Sequence, residues 1–185
     1  MGDPVTEPVR IVPYDPAWPE RFEAEKRLLE DVLAPWIVGG VHHIGSTAVP
    51  GLAAKPIVDV MVGVEGLEQS LPARPRAEAV GYCWAPYRPE VFHWFCKPSP
   101  ARRTHHLILV PVDHPTFAAR LAFRDALRGD ASLAAEYEAL KRELAGRHRF
   151  DREAYTNAKS DFVVRMTRAA LARQQASSEA ATTGR

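Results

Sequence analysis

The segment that most constrains the fold is residues 56–64, PIVDVMVGV, which is rich in β-branched residues and almost entirely apolar. A run of this length and composition is typical of a central β-strand that is covered on both faces. One acidic residue, Asp59, interrupts it. A carboxylate inside a buried strand is costly unless it is hydrogen-bonded, paired with a cation or bound to a metal. Asp59 is therefore the first candidate for a functional residue.

The patterns around this strand predict an α+β fold, a small mixed β-sheet flanked by helices with a C-terminal helical part, because strands come early and helices late. Further strands are predicted over 36–45, 81–86, 91–97 and 104–112. Helices are predicted over 16–34, over 115–128, from Asp130 to Gly146 and after Asp151. We expect a single domain over residues 8–172, with disordered tails at 1–7 and 173–185 because the last residues are small and polar.

The charge balance limits the kinds of partner. Lysine and arginine number 24 and aspartate and glutamate 23, a net charge of +1, so a polycation that coats nucleic acid is excluded and nucleic acid is not the expected partner. Residues 86–128 hold seven basic and three acidic residues. If that stretch lines a cleft, it favours an anionic ligand; the alternative is a set of scattered, solvated arginines.

The expected cellular location follows from the lack of a predicted membrane span or signal segment. Every uncharged stretch is too short for a membrane span, so no membrane association is expected. The first ten residues, MGDPVTEPVR, hold no apolar signal segment. Two cysteines are too few for a disulfide scaffold. Together these features predict a cytoplasmic protein.

A candidate anion site precedes the central strand. Residues 42–47 read His-His-Ile-Gly-Ser-Thr, and Lys55 follows shortly before Asp59. Small residues allow backbone N–H groups to approach a phosphate, hydroxyls beside them can bind it, and a lysine supplies a point charge. A turn of this kind next to a carboxylate suits phosphoryl or nucleotidyl transfer with a divalent cation. An ordinary turn, with Asp59 paired to Lys55 or to an arginine, is the alternative.

The run HHIGSTAVPGLAAKPIVDVMV resembles the GrpB-like family, and so do RTHHLILV, LAFRDALRGD, LAAEYEALKREL and AYTNAKSDFV. The resemblance covers roughly residues 8–170 of the 185. That family is placed in the nucleotidyltransferase superfamily, so the resemblance implies the fold of the DNA polymerase β palm, a small mixed sheet with helices. The superfamily pattern is Gly-Ser in a turn, two carboxylates separated by one residue in a strand, and a third carboxylate in a later strand.

The resemblance assigns roles to individual residues, and it also exposes departures. Asp59 matches the first metal-binding carboxylate, but Met61 stands where the second should be. The later strand offers His106 with Ile108 instead of an acid. Asp59 and His106 become the expected catalytic residues. The expected phosphate ligands are Gly45, Ser46, Thr47, Lys55, Arg124 and Lys159.

The resemblance leaves the cofactor and the activity open. Mg²⁺ or Mn²⁺ can enter with a nucleotide, or a transition metal can be held by Asp59, His106 and one of His42 and His43, with His43 as the expected ligand. The leading hypothesis is a protein that binds a nucleotide or another phosphorylated small molecule and transfers a nucleotidyl group to a small acceptor. The alternatives are a catalytically degenerate ligand-binding or scaffold module, which Met61 favours, and a histidine-metal hydrolase.

Overall fold

The predicted central strand lies inside a five-stranded mixed sheet. The computed structural model describes residues 8–183. Its strands are β1 (Val41–Ile44), β2 (Val58–Val64), β3 (Cys83–Trp84), β4 (His93–Pro98) and β5 (Arg103–Pro111). They lie in the order β1–β2–β5–β4–β3. Only β2 and β5 run parallel among these neighbours; the other pairs are antiparallel. The α+β class with a mixed sheet is thereby confirmed.

Helices cover the sheet and form the C-terminal part. They are α1 (Ala17–Val32), α2 (Ala73–Ala79), α3 (Pro115–Gly129), α4 (Ala131–Arg147), α5 (Arg152–Ala158) and α6 (Ser160–Thr183). The capping residues act as predicted: Asp130 accepts a hydrogen bond from the backbone N–H of Leu133 at 3.0 Å, and Asp151 from that of Ala154 at 2.8 Å. None of the helices in residues 8–183 has the length and apolar character that crossing a membrane requires.

The structure corrects three boundaries. The strand predicted over 36–45 is only Val41–Ile44, because Ala34–Trp36 forms a 3₁₀ turn and Gly40 adopts a φ of +77°. The single helix predicted after Asp151 is two helices, which meet at Lys159. The disorder predicted for 173–183 is replaced by the continuation of α6, because residues without Pro or Gly extend an existing helix at little cost. The predicted tails at 1–7 and 184–185 lie outside the described residues.

The two faces of the sheet have different cores. On one face, Val58, Val60 and Val62 of β2 pack with the buried side chains of α1, such as Phe22 and Leu29. On the other face, a smaller apolar cluster includes Ile44, Met61, Ile108 and Val110, with Phe117 and Leu121 of α3 against it. Asp59 lies on this second face, because side chains alternate along a strand. The smaller core therefore continues into the candidate site.

Candidate functional site

Asp59 and His106 form a hydrogen-bonded pair. The parallel register of β2 and β5 places them directly beside each other, and His106 Nδ1 donates to Asp59 Oδ1 at 2.8 Å. The other ring nitrogen, Nε2, is buried without a hydrogen-bond partner among the described residues. The Asp59 side chain is 36% exposed and that of His106 17%. Asp59 and His106 thus form a polar contact on the same sheet face as the smaller apolar cluster.

Asp59 stays ionised although protein surrounds it. Burial, the largest influence, would raise its pKa, but the hydrogen bond from His106 and the positive charges of His106, Lys55 and Arg120 together hold the pKa below its usual value. A side chain that water reaches, yet on which burial acts strongly, is expected at the floor of a concave pocket. Asp59 is therefore a partly exposed, negatively charged group on which nearby cations act, and we call this site the Asp59 pocket.

The turn after β1 lies against this carboxylate. Gly45 has φ 71° and ψ −172°, a region that is almost restricted to glycine. A Cβ at this position would collide with Oδ2 of Asp59 and lie 3.1 Å from its Cγ. The hydroxyl of Ser46, the next residue, acts to lower the pKa of Tyr137 of α4, but burial has the larger influence. Burial raises the pKa of Tyr137 to about 12, so its phenol remains protonated. The turn at Gly45 thus lies against Asp59, and the role of Gly45 and Ser46 as phosphate ligands stays a prediction.

Two lysines flank one buried aromatic ring, that of Tyr155 on α5. Lys55 Nζ lies 5.1 Å and Lys159 Nζ 4.7 Å from the ring centroid of Tyr155, which is 1% exposed. Burial and the charge of Lys55 lower the pKa of Lys159 to about 7. Burial also lowers the pKa of Lys55, against the opposing effect of Asp59. Lys159 reaches this position because it is the residue at which α5 ends and α6 begins.

Arg120 completes the positive surroundings. It lies exposed on α3, and its charge acts on Asp59, Tyr137 and Lys159. The charges of Lys55 and Arg120 thus both act on Asp59, and Lys159 is a third basic side chain, placed on the same ring as Lys55. Their excess of positive charge favours an anion.

Helices α3 and α4 hold the loop that carries these residues. Ala53 is bound at both backbone groups, since its N–H donates to Glu138 Oε2 at 2.9 Å and its carbonyl accepts from Lys141 Nζ. Arg128 Nε donates to the carbonyl of Ala48 at 2.8 Å. Burial lowers the pKa of Lys141 to about 7. These side chains fix the loop between Gly45 and Lys55 without entering the pocket.

Three predicted site residues have other contacts. Arg124 donates to the carbonyl of His43 at 3.1 Å and forms an ion pair with Asp125 at 2.7 Å. Thr47 is 2% exposed and its hydroxyl is bound to His43 Nε2 at 3.0 Å. The His43 ring stacks on Phe22, with 4.6 Å between centroids. The structure therefore does not bring Arg124, Thr47 and His43 together with Asp59.

The predicted metal set does not fit this geometry. His43 pairs with Val60 across β1 and β2, so it lies on the sheet face opposite to Asp59, and burial lowers its pKa to about 4. Within residues 8–183, no three His, Cys, Asp or Glu side chains are close enough to share a metal ion. Met61 is fully buried in the apolar cluster. One carboxylate and one imidazole among cations are too few donors for a divalent metal held by the protein alone.

Sequence reasoning did not identify Arg120, Tyr137 and Tyr155 as site residues. The two tyrosines lie at core positions of their helices, and their spacing indicates only packing. Arg120 belongs to the basic stretch noted above, but nothing local distinguishes it from the neighbouring arginines. Trp94 of β4 also lies next to this site, since its ring centroid is 5.1 Å from that of His106.

Comparisons with known proteins agree on one family. The family model described as "GrpB protein" matches residues 8–169. The chain is 34% identical to "Glutamate-rich protein GrpB" of Alkalihalophilus pseudofirmus, over 84% of this chain and 91% of that one. It is 33% identical to "UPF0157 protein YqkA" of Bacillus subtilis, over 84% of this chain but only 45% of that longer relative.

A solved structure supports the same assignment. The crystal structure of the conserved protein GrpB from Enterococcus faecalis superimposes with a TM-score of 0.81 and 34% identity. The match covers 90% of this chain and 99% of that one. The two proteins are therefore similar in sequence as well as in fold. The chain belongs to the GrpB family.

Proposed function

We propose that the Asp59 pocket binds a phosphorylated small molecule, with a nucleotide as the expected ligand. The observation that carries the proposal is that Lys55 and Lys159 lie 5.1 and 4.7 Å from the centroid of one ring, that of Tyr155, while the charges of Lys55 and Arg120 act on Asp59 beside the Gly45–Ser46 turn. Cations in a concave, partly desolvated site bind a phosphate more strongly than cations on an open surface. The Asp59–His106 pair would set the orientation of the ligand by accepting or donating hydrogen bonds.

The reaction that we propose, transfer of a nucleotidyl group to a small acceptor, follows from the resemblance to the nucleotidyltransferase superfamily. The sheet order and the place of Asp59 after a Gly-Ser turn support it. The buried Met61 weighs against a two-metal version, because no second carboxylate is available at that position. A divalent cation would depend on the phosphates of the ligand for most of its coordination.

Calorimetry and thermal unfolding test the binding. Inorganic phosphate, AMP and ATP, each with and without Mg²⁺, are titrated into the full chain. We expect at least one phosphorylated ligand to raise the Tm by an amount that grows with the logarithm of its concentration above Kd, with an affinity that falls as salt increases. Replacement of Lys55 by Gln should weaken binding on the order of tenfold.

The matched control is Lys26→Gln. Lys26 lies on α1 and pairs with Glu30 at 3.9 Å, away from the pocket, so its replacement should leave the affinity unchanged. A wild-type protein that binds none of these ligands would exclude the proposal. Binding without release of pyrophosphate or transfer to any acceptor would instead favour the ligand-binding module that Met61 suggests.

A further inference from the structure

The two cysteines of the chain occupy directly opposite positions on neighbouring antiparallel strands. Cys83 of β3 pairs with Cys96 of β4, and Trp84 pairs with Phe95 one residue along. The ring centroids of Trp84 and Phe95 are 5.2 Å apart, and both rings pack in the core beneath α1. Because side chains alternate along a strand, both cysteines point to the opposite face of the sheet. Their side chains therefore lie next to each other.

The register also fixes the spacing of the two cysteines. The N–H of Ala85 donates to the carbonyl of Trp94 at 3.1 Å, so residues 85 and 94 form a hydrogen-bonded pair. Because such pairs alternate with non-hydrogen-bonded pairs in an antiparallel ladder, Cys83 and Cys96 are the next hydrogen-bonded pair, with Cα atoms about 5.5 Å apart. Disulfides join Cα atoms that are about 4.4–6.8 Å apart. The two free thiols are thus within reach of a disulfide.

The two thiols differ in exposure and in bonding. Cys96 is 0% exposed, and burial raises the pKa of its thiol, so near neutral pH it stays protonated and out of contact with solutes. Cys83 is only half-buried, and its Sγ donates to the carbonyl of Pro98 on β4 at 3.2 Å. The sulfur of Cys83 therefore points toward β4, and it is the thiol that a dissolved reagent meets first.

We propose that Cys83 and Cys96 form a reversible disulfide by exchange with small disulfides of the glutathione type. The Cys83 thiolate attacks one sulfur of oxidised glutathione, and the first glutathione leaves as a thiolate that takes up the proton lost by Cys83. Cys96 then attacks Sγ of Cys83, and the second glutathione leaves with the bonding electrons and takes up the proton of Cys96. Two protein thiols thereby lose two electrons and two protons, and one glutathione disulfide becomes two thiols.

The spacing favours a labile disulfide over a permanent one. The Cβ atoms of directly opposite residues are about 4.5–5.5 Å apart, with hydrogen-bonded pairs at the wide end, whereas a relaxed disulfide needs about 3.5–4.5 Å. Strand β3 has two residues and forms an edge of the sheet, so it can move toward β4 when its hydrogen bond to Pro98 breaks. Strained or exposed disulfides are the ones that reduced thiols reverse.

The position of the pair connects this chemistry with the candidate site. Cys96 pairs with His106 across β4 and β5, so the disulfide would attach the edge strand to the strand that borders the Asp59–His106 pair. The proposal does not depend on phosphate binding, because both cysteines lie outside the contacts from which the proposed function was argued.

Peptide mapping by mass spectrometry, after the native full chain is incubated with oxidised glutathione, tests the proposal. We expect a peptide pair joined through Cys83 and Cys96, lighter by two hydrogen atoms than the two thiol peptides, in a chain that stays monomeric. Reduced glutathione, added without denaturant, should reverse the link.

Two variants test the order of attack. Cys96→Ala should stop at a glutathione bound to Cys83 and accumulate roughly tenfold or more of this adduct than the wild type. Cys83→Ala is the matched control and should leave Cys96 unmodified, because its thiol is buried. If either variant fails to fold, the wild-type map decides alone. No reaction at either cysteine, glutathione that persists on Cys83 of the wild type, a disulfide only between two chains, or a link that resists reduced glutathione would each overturn the proposal.

Discussion

Side chains of the paired strands β2 and β5 point alternately to the two faces of the sheet. One face is buried and apolar, and the other carries the candidate site. Val60 and Leu107 lie side by side on one face and are no more than 1% exposed. Asp59 and His106 lie side by side on the other face and form a hydrogen bond beside a pocket. One step along the chain therefore separates the residues that stabilise the fold from those that form the candidate site, and substitutions on the two faces should have separable effects.

The largest expected effect comes from the apolar face. Leu107→Ala removes a side chain that is 0% exposed in the main core, and truncations of this kind cost about 2–5 kcal/mol in the free energy of unfolding. Urea denaturation should show this loss, while calorimetry below the melting temperature should find ligand affinity close to that of the wild type. His106→Asn, on the polar face, should lower ligand affinity and leave the free energy of unfolding close to that of the wild type. A folded Leu107→Ala protein that binds no ligand would contradict the separation of the two faces.

Replacement of Gly45, which lies against Asp59 on the polar face, should lower both the stability of the fold and the affinity for the ligand. Gly45→Ala places a side chain in a glycine-only region of φ and ψ, which costs about 1–3 kcal/mol, and pushes it into the Asp59 carboxylate. We expect lower stability in urea and loss of ligand binding by calorimetry.

Gly146→Ala is the matched control for that substitution. Gly146 lies inside α4 with no atom within 4 Å of an added Cβ, so alanine should be neutral or stabilise the helix by up to about 1 kcal/mol. If Gly45→Ala kept full ligand affinity, the contact between the turn and Asp59 would be irrelevant to the site.

The alternation of the strands could be predicted from the sequence because it is local. Residues 56–64 show an acid in an apolar run, and the period of two along a strand places Asp59 opposite to Val58 and Val60. The capping residues Asp130 and Asp151 are also local signals, and both helices begin where they predict. The early strands and late helices were sufficient for the α+β class.

The composition of the pocket could not be predicted, because it depends on contacts between distant segments. The pairing of Asp59 with His106 needs the register of two strands that are 47 residues apart. The position of Lys159 follows from a helix break that its own sequence does not mark. Tyr155 becomes a site residue only because Lys55 and Lys159 approach its ring from different elements. Arg124, by contrast, has a residue type suited to phosphate, but its guanidinium is engaged by His43 and Asp125.

The smallest expected effect concerns the acid side of the stability profile. The pKa of Asp59 is lower in the folded chain than its ordinary value of 3.8, so the unfolded chain binds more protons as pH falls through this range. Ionised Asp59 therefore stabilises the fold above about pH 4, and that contribution is lost as pH falls through the folded pKa. Because a third of the side chain is exposed, we expect it to be about 0.2–1 kcal/mol.

Urea denaturation between pH 2 and pH 6, in roughly half-unit steps, can resolve this effect. Asp59→Asn cannot titrate, so its profile should be flatter than that of the wild type on the acid side. Val60→Ala, on the apolar face of the same strand, should lower the whole profile without changing its slope, since no proton is bound or released at that position. Parallel acid slopes for the wild type and Asp59→Asn would mean that the carboxylate gains no net stabilisation from His106, Lys55 and Arg120. The electrostatic contrast between the two faces would then be absent.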